Sequence, residues 1–236
     1  MGGPDRRILI LAPMRSELRP VLRAMSRGRR RRGDQVAPSR DTCSHVTASL
    51  IGVGPDAARR STERLLGEGG FDHVVVSGIA GGIDPALAVG SLVIPSTVED
   101  LASGRRYEAT PLGDHRPDGV IGTTHELILD EGRLAALVER GVVALDMETA
   151  AVADVCEAHG CPWSAYRVVS DRPQDGLLDH GVFEMLEADG TVHLGRAIRY
   201  VVAHPARIRH LARLARDSSA AASLAARTAV AACDAP

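Results

Sequence analysis

A chain of 236 residues with 44% apolar and 25% charged residues has the composition of a globular protein, long enough to bury a real core, and is read as one domain. A formal net charge of −2 gives no overall attraction to nucleic acid, and no apolar run approaches the roughly 20 residues of a membrane span. The four cysteines (Cys43, Cys156, Cys161, Cys233) lack C-x-x-C pairing and the nine histidines are scattered, which argues against a metal site or disulfide framework and for a reducing cytoplasm.

In chain order, the run "ILILAP" (8–13) is too short for a secretory leader, is interrupted by Pro13 and Arg15, and reads as a first strand. The helical pattern "SELRPVLRAM" (16–25) follows, with Glu17 as a first-turn acid that the helix dipole favours. The arginine-rich "SRGRRRRGDQ" (26–35) reads as a solvated loop after that helix. Further strand-like runs are "VTASLIGVG" (46–54), "HVVVSGIAGG" (73–82), "GSLVIP" (90–95) and "WSAYRVVSD" (163–171). Helical patterns separate several of them, at "DAARRSTERLLGEG" (56–69), "DEGRLAALVER" (130–140) and "TAAVADVCEAHG" (149–160). This alternation predicts an α/β fold whose largely parallel or mixed sheet has helices on both faces, three layers in all.

From about residue 196 the sequence reads as a helical extension in two pieces, broken at Pro205. In the second piece Ile208, Leu211, Ala212 and Ala215 share one face, and Arg209, Arg213 and Arg216 the opposite one. Such a basic amphipathic helix suits either a peripheral contact with anionic lipid or an ordinary solvated surface.

Three carboxylates stand out by position. Glu17 follows the first strand, Glu148 follows an apolar stretch in "LDMETAA", and Asp171 ends the strand "SAYRVVSD". In α/β sheets, sites gather at the carboxyl ends of strands. Small residues after Glu148 allow its carboxylate to turn inward, where an unpaired charge costs several kcal/mol. Arg167, four residues before Asp171, is the nearest counter-charge in sequence, on the same side of a regular strand. Each acid also has an ordinary structural reading, as a first-turn acid, an ion pair and an N-cap respectively.

Five motifs in order, "APMRSE" (12–17), "IGVGPDAA" (51–58), "VSGIAGGIDPALAVGSLVIPS" (76–96), "LDMETAAVADVC" (145–156) and "YRVVSD" (166–171), resemble the nucleoside phosphorylase and nucleosidase superfamily, which cleaves N-glycosidic bonds of nucleosides. The early Glu is similar to that of methylthioadenosine/S-adenosylhomocysteine nucleosidases. The "GIAGGIDPAL" loop and the C-terminal tail look more like hopanoid-associated phosphorylases, which act on adenosylhopane. The resemblance implies a mixed, partly barrel-like central sheet and a homo-oligomer, a dimer or larger.

It also implies roles. Asp171 would be the acid at purine N7, its burial raising its pKa for that task, and Glu148 would bind the ribose hydroxyls beside a cationic transition state. Glu17 would activate water. Met147 would pack on the sugar, the loop Gly78, Ile79, Ala80, Gly81, Gly82 would bring backbone near the nucleoside, and Ser170 and Arg167 would also contact the substrate. Leu127 and Ile128 would line the adenine pocket, although the family often has Phe at the first of these and Ser at Ile79. The "GVGP" loop ahead of residue 56 is a candidate anion site, suited to phosphate. No cofactor is expected, only phosphate as co-substrate if the enzyme is a phosphorylase. Glu17 beside the nucleophile would repel a phosphate dianion, so hydrolysis is favoured. Phosphorolysis and a non-catalytic nucleoside-binding protein remain open.

Overall fold

The computed structural model describes residues 6–31, 46–173 and 208–235. The chain opens with strand β1 (Ile8–Ala12), helix α1 (Arg15–Arg31), β2 (Val46–Leu50), α2 (Pro55–Gly67) and the long β3 (His73–Gly82). Four short strands follow, β4 (Leu92–Val93), β5 (Thr97–Asp100), β6 (Arg106–Glu108) and β7 (Val120–Thr123). Then come α3 (Glu131–Glu139), β8 (Val142–Asp146), α4 (Thr149–Ala158), β9 (Trp163–Asp171) and α5 (Ile208–Cys233).

The strands form one mixed sheet in the order β2-β1-β3-β8-β7-β5-β6. It branches at β3, whose first residues pair in parallel with β1 while most of its length pairs in parallel with β9. The last two residues of β3, Gly81 and Gly82, pair antiparallel with Leu145 and Ala144 of β8. Length explains the branching: ten residues of strand span about 33 Å, more than a single neighbour covers. Because β8 leaves β3 at Gly81 while β9 ends opposite it, the carboxyl ends of β8 and β9 converge there.

Both faces of the sheet are buried, as the continuous apolar runs predict. Along β1, Leu9 and Leu11 join the core that contains Ala58, Leu65 and Leu66 of α2 and the apolar side of α4. Ile8 and Ile10 point the other way, into a core with Val21 of α1 and Ala226 and Ala229 of α5. The result is a three-layer single α/β domain.

Several local expectations differ from the structure. Helix α1 runs on through Arg31, because arginine is a strong helix former and the single Gly28 does not stop it; the expected loop from 26 is therefore helical up to that point. The "GIAGG" stretch, read both as the end of the strand run 73–82 and as a loop at the nucleoside, is strand, paired on both sides at its end. Strands β5 to β7 have no counterpart in the sequence reading, being three or four residues long with too little periodicity to register, and β8 figures there only as the apolar stretch before Glu148. In α5 the buried residues are Ala221, Ala222, Ala225, Ala226, Ala229, Ala232 and Cys233, so its alanine-rich second half is a layer of the fold. Ala212 and Ala215 are exposed together with Arg213 and Arg216. The helical piece expected at 196–204 lies outside the described residues, and no helix among those described is long and apolar enough to cross a membrane.

Candidate active site

Helix α1 begins three residues after β1, so its first turn sits at the carboxyl edge of the sheet and delivers Glu17 there, 2% exposed. The Glu17 carboxylate accepts the Met14 N–H on Oε2 and the Ile79 N–H of β3 on Oε1, both at 2.8 Å. Burial raises its proton affinity, while Arg167 and the two N–H groups pull it down.

Gly78 makes this approach feasible. A methyl group there would overlap Glu17 Oε1 and lie 2.6 Å from Arg167 Nη1. Gly78→Ala is expected to destabilise the protein by about 1–3 kcal/mol through overpacking, whereas Gly67→Ala, in α2 with open space around it, should stabilise by about 0.5–1 kcal/mol. Urea denaturation of the two variants checks both signs.

Glu148 follows β8 and is the N-cap residue of α4, yet its side chain makes no cap hydrogen bond. It turns across the sheet instead, where Oε1 accepts the Gly54 N–H at 2.9 Å and Oε2 lies 3.4 Å from Arg167 Nη2. The "GVGP" turn, with φ of +87° at Gly54, thus aims an amide at the entrance of α2 on a carboxylate of the protein itself. Burial pushes the Glu148 carboxyl up to about 7; Arg167 opposes the rise, and Asp146 and Glu17 add to it.

Arg167, on the fully buried strand β9, is the hub, 0% exposed. Nη2 reaches Asp146 Oδ2 at 2.6 Å, Thr149 Oγ1 at 3.0 Å and Glu148 Oε2 at 3.4 Å, and Nη1 lies 4.0 Å from Glu17 Oε1. Nη1 also donates to the Ile79 carbonyl at 3.4 Å. One guanidinium therefore serves three buried carboxylates. Asp146, the last residue of β8, does not figure in the sequence reading, which has no strand ending there. Its Oδ1 accepts from Thr123 Oγ1 at 2.7 Å and from the Thr149 N–H at 3.3 Å, and its Oδ2 accepts from Thr149 Oγ1. It caps α4 in place of Glu148.

Asp171 ends β9, 6% exposed, and accepts a hydrogen bond from Ser170 Oγ. Ser170 Oγ also lies 3.4 Å from the Ala80 carbonyl oxygen. The β3–β9 register shifts between Ala80 and Gly81, so the regular alternation that would set Asp171 on the side of Arg167 does not continue past Val169. Asp171 faces Gly81 instead: a Cβ on Gly81 would stand 3.7 Å from Asp171 Oδ2 and 4.0 Å from the Leu145 carbonyl.

The structure thus brings together Glu17, Gly78, Ile79, Glu148 and Arg167, with Met147 half-buried beside Glu148, and places Ala80, Gly81, Ser170 and Asp171 at the adjoining strand ends. Ile128 packs in a core with Ile83, Leu134, Leu137 and Leu145, and Leu127 is half-buried next to it. Neither contacts the carboxylate cluster through the bonds described above.

The model of the phosphorylase superfamily matches residues 7–118 and 112–203. The chain belongs to the phosphorylase superfamily. Within this group of enzymes it is 28% identical over 201 residues, 70% of this chain and 84% of the relative, to the 5'-methylthioadenosine/S-adenosylhomocysteine nucleosidase of Chromohalobacter salexigens. It is also 28% identical over 156 residues to the nucleosidase of the same description from Shewanella oneidensis. That match covers 53% of this chain and spans 66% of the relative's length. The solved structure of the Helicobacter pylori nucleosidase superposes with a TM-score of 0.66 at 18% identity, covering 98% of this chain and 99% of that one. The superfamily fold, with its mixed sheet and flanking helices, is therefore the fold of this chain.

Proposed function

We propose that this superfamily member hydrolyses the N-glycosidic bond of a 5′-substituted adenine nucleoside, with water as the nucleophile. The observation that carries the reading is the make-up of the cluster: the carboxyl groups of Glu17, Asp146 and Glu148 surround one arginine, so that ionisation of any two leaves an excess of negative charge at the carboxyl end of the sheet. Breaking a ribose–purine bond makes the sugar cationic, and negative groups fixed beforehand stabilise that cation more than the neutral substrate.

Glu148, whose carboxylate turns in between the Gly54 amide and Arg167 at the sheet edge, binds the ribose hydroxyls. Glu17 is held by two N–H groups and by its helix, and its raised proton affinity suits a base that takes a proton from water as it attacks the anomeric carbon. Asp171, at the adjoining strand end, gives a proton to the purine as the bond lengthens. Ile79, Ala80 and Gly81 supply backbone beside the base, Met147 packs on the sugar, and Leu127 and Ile128 shape the far side of the pocket. The active form is a cytoplasmic homo-oligomer.

Phosphate fits this setting poorly. A dianion would enter a site lined by three carboxyl groups, and the Gly54 amide, the anion site expected at the entrance of α2, already donates to Glu148. The nucleosidases of Chromohalobacter salexigens and Shewanella oneidensis, by their names, act on methylthioadenosine and S-adenosylhomocysteine, which supports a 5′-thio nucleoside as substrate.

The purified protein, given methylthioadenosine or adenosylhopane with and without phosphate, is expected to release adenine at the same rate whether or not phosphate is present, read by chromatography. Release that requires phosphate would overturn the hydrolytic mechanism; no release from any nucleoside would favour a binding protein.

A further inference from the structure

Asp146 is 6% exposed and its four contacts leave its carboxylate no freedom to turn. Thr123, its register partner on β7, donates to it and accepts the Ala150 N–H at 2.9 Å, so β7, β8 and the start of α4 are tied at one point. Oδ2 of Asp146 lies 2.6 Å from Arg167 Nη2, while Glu148 and Glu17 stand 3.4 and 4.0 Å from the same guanidinium. Charge attraction falls with distance, so Asp146 takes the largest share of the arginine's field.

We infer that Asp146 is a positioning residue for the reaction: it draws Arg167 towards β8 and leaves the carboxylates of Glu148 and Glu17 only partly neutralised and so negative towards the sugar and the nucleophile. This rests on the hydrolytic reading given above. Thr149, through its bonds to both Asp146 and Arg167, locks the arrangement. The charged groups facing Glu148 are Arg167 from β9, Asp146 from β8 and Glu17 from α1, with the Gly54 amide of the α2 entrance. Both Glu148 and Glu17 have their proton affinity raised in part by Asp146, in keeping with this geometry.

Asp146→Asn keeps an acceptor for Thr123 and Thr149 but loses the charge, so Arg167 is released towards Glu148 and Glu17. Both acids should then ionise at lower pH. The acid limb of kcat/KM against pH is expected to move down by about one pH unit, and kcat to fall about tenfold or more with KM changed less than about threefold. Asp146→Glu, which restores the charge, should bring the acid limb back towards the wild type. The carboxyl 13C resonance of Glu148, assigned by its loss in Glu148→Gln, should titrate at lower pH in Asp146→Asn than in the wild type. An acid limb and a Glu148 resonance unmoved by Asp146→Asn would overturn the inference, as would an Asp146→Glu variant shifted as far as Asp146→Asn. The 13C titration needs no turnover, so failure of the hydrolytic reading is told apart from failure of this one.

Discussion

Asp171→Asn is expected to lower the rate of adenine release by about two to four orders of magnitude, the range that loss of a positioned general acid produces. Adenine leaves as an anion unless a proton reaches it, and an amide can donate a hydrogen bond but cannot deliver that proton. The carbonyl oxygen of Asn can still accept from Ser170, so the end of β9 should hold its shape and the thermal midpoint should change by no more than a few degrees. The loss should lie in kcat. A ribofuranoside with a nitrophenol leaving group, which departs without protonation, separates the roles: it should lose far less than methylthioadenosine does. If both substrates lose equally, Asp171 is holding the pocket in shape and not serving as the acid; if neither does, it has no part in the chemistry.

The sequence exposed three of the four acids because each stands where a strand run stops or a helix run starts. Asp146 was hidden for a physical reason: its significance comes from Thr123 on β7 and Arg167 on β9, strands 23 and 21 residues away that meet it only in the folded sheet. Arg167 was legible as a counter-charge, but its partners were not, since the register shift after Ala80 lies in the pairing of two strands and not in either strand alone. The strands β1, β3 and β9 were plain from their runs of β-branched and apolar residues, which the few polar positions such as Ser77 and Arg167 do not break. Strands β5 to β7 were not, being short elements that rely on their neighbours; Glu99 on β5, for example, is buried with Arg106 and Arg140 closing over it. The alanine face of α5 is a comparable case, for alanine is as common on exposed helices as on buried ones and signals neither. The closeness of Glu17 to β3 depends on a missing side chain at Gly78, and a glycine in a strand run does not say what it makes room for.

Glu148→Gln should lower kcat about 10²–10³-fold and at the same time stabilise the protein at alkaline pH, two effects with one origin. In the proposed mechanism the carboxylate is useful because it is negative beside a cationic sugar, and it is costly because the same charge is buried among other acids. A carboxyl with an ordinary pKa of 4.5 that is pushed up to about 7 in the fold prefers its proton there, so the folded state is relatively most stable below pH 4.5. That preference is lost as pH rises from 4.5 through 7, and above 7 the fold carries an ionised Glu148 at a cost of up to about 3 kcal/mol. Gln keeps an acceptor for the Gly54 amide and removes the charge, at the expense of its attraction to Arg167. The expected net gain above pH 7 is on the order of 1–2 kcal/mol, with little gain near pH 4.5, where the wild-type side chain is itself protonated. Thermal unfolding of both proteins between pH 4.5 and 8.5 measures the difference. With Glu148 acting in its ionised form, as proposed, wild-type activity should rise across the same interval in which stability falls. A variant that is inactive but no more stable at pH 8 than the wild type would place the strain of the cluster on Glu17 and Asp146; a variant that is stabilised and fully active would remove Glu148 from the sugar.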